Sequence, residues 1–449
     1  MLHHHIVKNV LSAAVCAVVL CFFVVSTATA MSQIIVVNND GPNEGFNDST
    51  PVSALPGNSA TTLGAQRLAA FTAAAQVWEA ALDSAVPIRV QANMDPQACS
   101  PSSGILGAAG PQTVFRDFTN APVANTWYSV ALANSLAGSD LDPAGDDIGA
   151  TFNSDVDADP NCLTGNTWWY GINAPAPSGT ISFYDTILHE IGHGINFLTF
   201  VNSTTGEKLL GNDDIYMTFL EDGSQGMAWP DMTNGQRAAS AIDTGDLRWA
   251  GPLANACGQA ILNTGLSDGH VRMYAPNPFQ QGSSVSHWDT ALFPDELMEP
   301  SATPTSDQRI TEALLRDIGW SLSSPSCVDG GGGDGGGGGV NEAIKIPISP
   351  PLTKGSISET VKENLFEFTV TTEGSYIIET EGKTPSVDTV MFLFGPDSQT
   401  TLIQENDDMS PGKFSSRIVA TLTPGAYYVK VKLYQDDQVG EYTIFVRAE

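Results

Sequence analysis

The chain has 449 residues, 42% of them hydrophobic and 8% aromatic, which is enough to fill real cores and long enough for two folded units. Against 19 Lys and Arg stand 50 Asp and Glu, a formal charge of −31 at pH 7. A surface of that sign repels phosphate backbones and anionic bilayers, so nucleic acid and membrane surfaces are excluded as partners; it suits a protein kept soluble outside the cell.

The first element is a targeting segment. Lys8 precedes an almost wholly apolar run over 10–25, and Ala28-Thr29-Ala30 offers small residues for cleavage. That is the three-part pattern of a secretory signal, with Met31 as the mature start. The run is short for a membrane span, and Val15 and Leu20, ahead of Cys16 and Cys21, are poor matches to a lipid-attachment site. The mature chain is therefore expected to be exported, with no membrane anchor. It retains Cys99, Cys162, Cys257 and Cys327, which in an oxidising compartment predicts two disulfides. Three pairings are possible, and neighbours in order is the preferred one. No C-x-x-C spacing supports a cysteine metal site.

Along the mature chain, helix and strand signals alternate. Residues 61–83 are rich in alanine, with Leu63, Leu68, Phe71, Val77, Trp78 and Leu82 at roughly helical intervals. Residues 87–92 alternate apolar and polar as a half-buried strand does, and 148–152 form another short strand. A closing helix is expected over 310–318, with Leu314, Leu315 and Ile318 on one face. This is an α+β pattern. From Asp329 to Gly339 every residue after the first is glycine except Asp334, too glycine-dense to pack, and the stretch reads as a flexible tether. Beyond it, short β-type runs at 365–370, 375–380, 389–394, 416–422, 427–433 and 442–446 predict an all-β sandwich. The expected division is a signal peptide over 1–30, a first domain over 31–326, a linker over 327–340 and a sandwich over 341–449.

The chemistry-bearing motif is His189-Glu190-Ile191-Gly192-His193. On a helix, positions four apart share a face, so both imidazoles can reach one ion, while Glu190 projects beside it as a base for water. Ser182 and Asp185 resemble a capping box at the start of that helix, and Leu188, Ile191, Ile195 and Leu198 form a core-facing stripe. The mature chain holds four histidines, His189, His193, His270 and His287, so two of them at ligand spacing carry weight. A catalytic zinc keeps three protein ligands and leaves one position for water. Six residues past His193, where a compact third ligand would sit, the chain has Thr199. His270, His287 or a downstream glutamate must supply the third. No G-x-S-x-G elbow or P-loop competes with this reading.

Two further segments carry a resemblance. Ser286-His287-Trp288-Asp289, followed by Asp295-Glu296-Leu297-Met298, is similar to the distal segment of leishmanolysin-type metzincins, in which the third histidine lies far downstream and a methionine forms a turn beneath the zinc. Leu315-Arg316-Asp317-Ile318-Gly319-Trp320 also resembles the closing helix of exported bacterial H-E-I-G-H peptidases. The resemblance covers most of 33–322. It implies a metzincin-like zinc peptidase fold, His287 as third zinc ligand and Met298 as the structural Met-turn residue. The family expects glycine three residues after the second histidine; here the position is Asn196, a residue that tolerates the same left-handed turn.

The C-terminal region resembles the bacterial pre-peptidase C-terminal domain through Asp388-Thr389-Val390-Met391-Phe392-Leu393-Phe394, Glu405-Asn406-Asp407-Asp408 and Gly425-Ala426-Tyr427-Tyr428-Val429-Lys430-Val431. Asp388, Asp407 and Asp408, with Glu405, offer oxygen ligands for calcium, or simply face water as polar loop residues. Together these features predict a secreted zinc endopeptidase acting on protein or peptide substrates, with Glu190 as general base. The alternative is an extracellular binding or adhesion protein whose metal site is structural or degenerate.

Overall fold

In the computed structural model the described residues are 32–172, 175–301, 307–323, 327, 344–346, 348, 353–357, 362–382, 387–410, 413–435 and 439–448. The expected signal segment and the glycine tract lie outside them.

The first part is organised by one sheet and the helices against it. Strands β1 (Ile34–Asn38), β2 (Ile88–Asp95), β3 (Gly107–Pro111) and β4 (Ile148–Asn153) pair in the order β1-β2-β4-β3. The first three in that order run parallel, with Ile34 opposite Ile88 and Val90 opposite Ile148. β3 is antiparallel to β4 and occupies the edge. In β2 the alternation is realised: Ile88, Val90, Ala92 and Met94 are buried while their neighbours are not. Joining parallel strands needs a crossover, and helix α1 (Leu63–Ala81) supplies it between β1 and β2. Its alanines at 70, 73, 74 and 75 let it approach closely, and Phe71 and Trp78 fill the space beside them.

Helix α2 (Val130–Ala137) follows, then α3 (Phe183–Gly194), which packs on α1 and under the sheet edge; the indole nitrogen of Trp78 donates to the Leu188 carbonyl at 2.9 Å. Helices α4 (Pro252–Ile261) and α5 (Arg309–Asp317) close the first core. Trp320, just past α5, donates to the Ile195 carbonyl at 2.8 Å and ties the closing segment to the end of α3. Disulfides join Cys99 to Cys162 and Cys257 to Cys327, the in-order pairing. From 199 to 290 the chain folds into short strands, turns and two short helices, α4 among them, that no periodicity announced, around buried Tyr216, Trp229, Trp249 and Trp288.

The second part has its own core. Strands β5 (Ile344–Lys345), β6 (Thr353–Ile357), β7 (Glu363–Val370), β8 (Gly374–Gly382), β9 (Thr389–Phe394), β10 (Leu402–Asn406), β11 (Arg417–Leu422), β12 (Gly425–Leu433) and β13 (Gly440–Ala448) form two sheets among the described residues, β5-β7-β12-β9-β10 and β6-β13-β8-β11. Phe366, Phe368, Ile378, Met391, Leu393, Val429, Val431 and Ile444 are buried between them. Every second residue of β12 from Tyr427 to Leu433 faces inward, as a one-sided sheet requires.

Candidate metal centre

Helix α3 begins where the Ser182 hydroxyl accepts from the Asp185 amide at 3.1 Å, satisfying one of the free donors of the first turn. It ends at Gly194. Ile195 caps it and Leu198 lies past a turn, so the helical stripe stops at Ile191, although Ile195 remains buried. Asn196 holds the turn with φ of 92°. Its side-chain oxygen accepts from the Ser129 amide at 2.7 Å, at the start of α2.

The turn brings the Phe197 carbonyl back to His193 Nδ1, 2.9 Å away. His189 Nδ1 meets the Leu297 carbonyl at 2.8 Å, and His287 Nδ1 meets the Ser283 carbonyl at 2.8 Å. A carbonyl can only accept, so each Nδ1 carries the ring proton and each Nε2 is left with a bare lone pair. Those three Nε2 atoms form a triangle: 3.1 Å from His189 to His193, 3.1 Å from His189 to His287 and 3.2 Å from His193 to His287. Three lone pairs at that spacing repel unless a cation sits among them. Nitrogens bound at ~2.0–2.1 Å to one tetrahedral zinc lie ~3.3 Å apart, so the donor set fits such an ion. Burial holds all three imidazoles neutral: it lowers His189, pushes His193 down to about 3 with help from His189, and drives His287 well below its ordinary value, with both neighbours adding to the effect. Neutral imidazole is the form that binds metal. The buried group His189, His193 and His287 can therefore hold a metal ion.

Glu190 is 7% exposed and lies against the edge strand β3. A Cβ added at Gly107 would stand 3.1 Å from Glu190 Cγ, and the Ala109 amide donates to the carboxylate. Burial raises its carboxyl to about 8, with the Ala109 bond opposing; a cation on the neighbouring histidines opposes the rise further. Met298 is fully buried, with its sulfur seated where a Cβ on Gly192 would approach to 2.6 Å.

His270 lies apart, its Nδ1 against a carboxylate oxygen of Glu221, which also holds Arg248. In the sandwich, Asp388, Asp407 and Asp408 bring carboxylate oxygens within 4.8 Å of one another. Desolvation and their mutual repulsion raise Asp388 and Asp407 above the usual carboxylate range. Sequence reasoning did not find the three carbonyls, Leu297, Phe197 and Ser283, because a main-chain acceptor has no side-chain signature. Nor did it find β3, whose Gly-Ala-Ala-Gly-Pro composition lacks β-branched residues; glycine at 107 is what leaves room for Glu190.

No protein-family model matches the chain, and no curated protein matches it. Among solved structures, the pre-peptidase C-terminal domain of collagenase from Bacillus anthracis is 17% identical over 24% of this chain and 99% of that one, with a TM-score of 0.22. PliG, a periplasmic inhibitor of g-type lysozyme from Aeromonas hydrophila, is 14% identical over 24% of this chain and 100% of that one, with a TM-score of 0.19. The CspB protease of Clostridium perfringens is 13% identical over 23% of this chain and 27% of that one, with a TM-score of 0.17.

Proposed function

We propose that this chain is a secreted zinc endopeptidase of the leishmanolysin-like type, with His189, His193 and His287 as zinc ligands, Glu190 as general base and Met298 as the Met-turn residue. The observation that carries the reading is the convergence of three bare Nε2 atoms, each fixed by a carbonyl on its other nitrogen, next to a buried carboxylate. Among the described residues the group contains three such donors, which leaves a coordination position open for chemistry rather than closing it for structure. When bound, zinc supplies Lewis acidity towards a carbonyl oxygen and towards water. Glu190 takes the proton from the attacking water and delivers it to the leaving amine. The edge strand β3 is paired on one side with β4; on its other side the Ala109 amide meets Glu190 and Pro111 has no amide, so an extended peptide laid along it would pair chiefly through the remaining main-chain groups there.

Export is supported by the two disulfides, and among the described residues no helix is long and apolar enough to cross a membrane. We assign the mature start to Met31, the catalytic domain to 31–326, the linker to 327–340 and a pre-peptidase-like sandwich to 341–449. The test is zinc content and casein hydrolysis of the mature protein beside Glu190→Gln and His287→Ala. The wild type is expected to hold one zinc and cleave casein; Glu190→Gln keeps the zinc and loses cleavage; His287→Ala loses both. A wild type that binds zinc and cleaves nothing would move the binding-protein reading to the front.

A further inference from the structure

Two of the three ligand histidines are oriented locally: His193 by Phe197 and His287 by Ser283, each four residues away. His189 is not. Its carbonyl partner, Leu297, lies 108 residues away in sequence, so something must hold that carbonyl in place. The nearest candidate is Glu296, which is 1% exposed. One of its carboxylate oxygens accepts from the amides of Ile310 and Thr311, the latter at 3.2 Å. The other accepts from the Thr311 hydroxyl at 2.9 Å and from the Leu297 amide at 2.9 Å, an amide shared with the Asp307 carbonyl at 2.6 Å.

These bonds have two consequences. Helix α5 has no capping bond from its own N-cap residue, Gln308, and Glu296 supplies an acceptor oxygen to the free amides of its first turn from a distant segment. The same side chain, together with the Asp307 carbonyl, holds the peptide unit beside the carbonyl that orients His189. The Thr311 hydroxyl in turn accepts from the Trp288 indole at 3.1 Å, and the Trp288 amide donates to the Met298 carbonyl at 2.9 Å. Trp288 follows His287 in the chain. One buried carboxylate thus joins the segment behind His189, the segment behind His287 and the first turn of α5.

We infer that Glu296 is a positioning residue for the metal centre: by fixing Leu297 and, through Thr311, Trp288, it sets the geometry of two ligands that come from separate segments. This rests on the zinc reading above. Outer partners of ligand histidines typically change metal affinity by ~10- to 100-fold when removed.

The test compares mature wild type, Glu296→Gln, Glu296→Ala and a control, Asp317→Ala. Asp317 is a half-buried carboxylate that also caps a helix, bonded to the Leu253 and Ala254 amides of α4 at 2.9 and 3.1 Å and to the Trp249 indole at 2.9 Å; it bonds to none of the three carbonyls that orient the histidines, and its link to Trp288 is only through the Trp249 ring. Zinc affinity is read by chelator competition, the ligand field by the visible spectrum of the cobalt-loaded protein, and stability by urea unfolding. Wild-type and Asp317→Ala proteins are expected to share one affinity and one cobalt spectrum, even though Asp317→Ala unfolds at lower urea. Glu296→Gln, which keeps one acceptor oxygen, is expected to bind zinc roughly 10-fold more weakly with a shifted spectrum, and Glu296→Ala more weakly still. If Glu296→Ala does not fold, the Gln variant decides alone. If Glu296→Gln loses stability but keeps affinity within twofold and an unchanged spectrum, Glu296 is a helix cap and nothing more. A wild type that takes up no metal overturns the proposed function and this inference with it, and the wild-type sample alone identifies that outcome.

Discussion

Asn196 shows how one side chain can serve two ends of a site. Its left-handed backbone, φ 92°, turns the Phe197 carbonyl onto His193, while its side chain takes the Ser129 amide at the start of α2. Glycine would keep the first role and lose the second; valine would oppose the first. Asn196→Gly is therefore expected to lose about 1 kcal/mol of stability with zinc retained, whereas Asn196→Val loses zinc as well. Urea unfolding paired with zinc analysis separates the two. At this scale the site was legible in its side chains: the spacing of His189 and His193 stated a helix face, and the Ser-His-Trp setting pointed to His287. What the sequence could not express was orientation, because Leu297, Phe197 and Ser283 act through carbonyls that every residue possesses.

Among the elements, α3 is positioned by small residues as much as by large ones. Gly192 admits the Met298 sulfur, and Gly194 admits Ile148 of β4, whose methyl carbon would lie 2.5 Å from an added Cβ. Gly192→Ala is expected to cost about 1–3 kcal/mol through overpacking. In a double-mutant cycle with Met298→Ala part of that cost should return, since the clash and its partner vanish together; purely additive losses would show that the two do not touch. At the head of β4, Asp147 accepts from the Arg89 amide at 2.7 Å and from the Asn134 side chain at 2.9 Å. Burial pushes its carboxyl up to about 6. Its folded value lies above the unfolded one, so the folded chain binds the extra proton, and this contribution is full below about pH 4 and lost as pH rises through 6. Between pH 4 and 7 the wild type should lose roughly 2 kcal/mol more stability than Asp147→Asn, measured by urea unfolding at each pH. Long periodic elements such as α1 and β12 were readable because their buried residues recur at a fixed step. The stretch from 199 to 290 was not. Its order comes from capped turns and a tryptophan cluster, contacts between segments distant in sequence that leave no local rhythm.

At the scale of the molecule, all the cysteines precede residue 328, so both disulfides staple the first core and neither touches the second. Closing loops of 63 and 70 residues stabilises a fold by about 2–4 kcal/mol each. Calorimetry is expected to resolve two transitions, and a reductant to lower only the one belonging to the first core, by on the order of 10 °C. A single transition that shifts as a whole would mean the cores unfold as one. The second bridge has a mechanical corollary. Cys327 stands three residues before the first glycine of the run and is bonded to Cys257 on α4. Any pull applied to the sandwich therefore enters the first core at Cys327 and is carried by a covalent bond into α4. The segment from α5 to Ser323, whose Trp320 braces the end of α3, stays out of the line of tension. Load on the tether thus bypasses the loop between the two cysteines, which carries His287, Leu297 and Trp320.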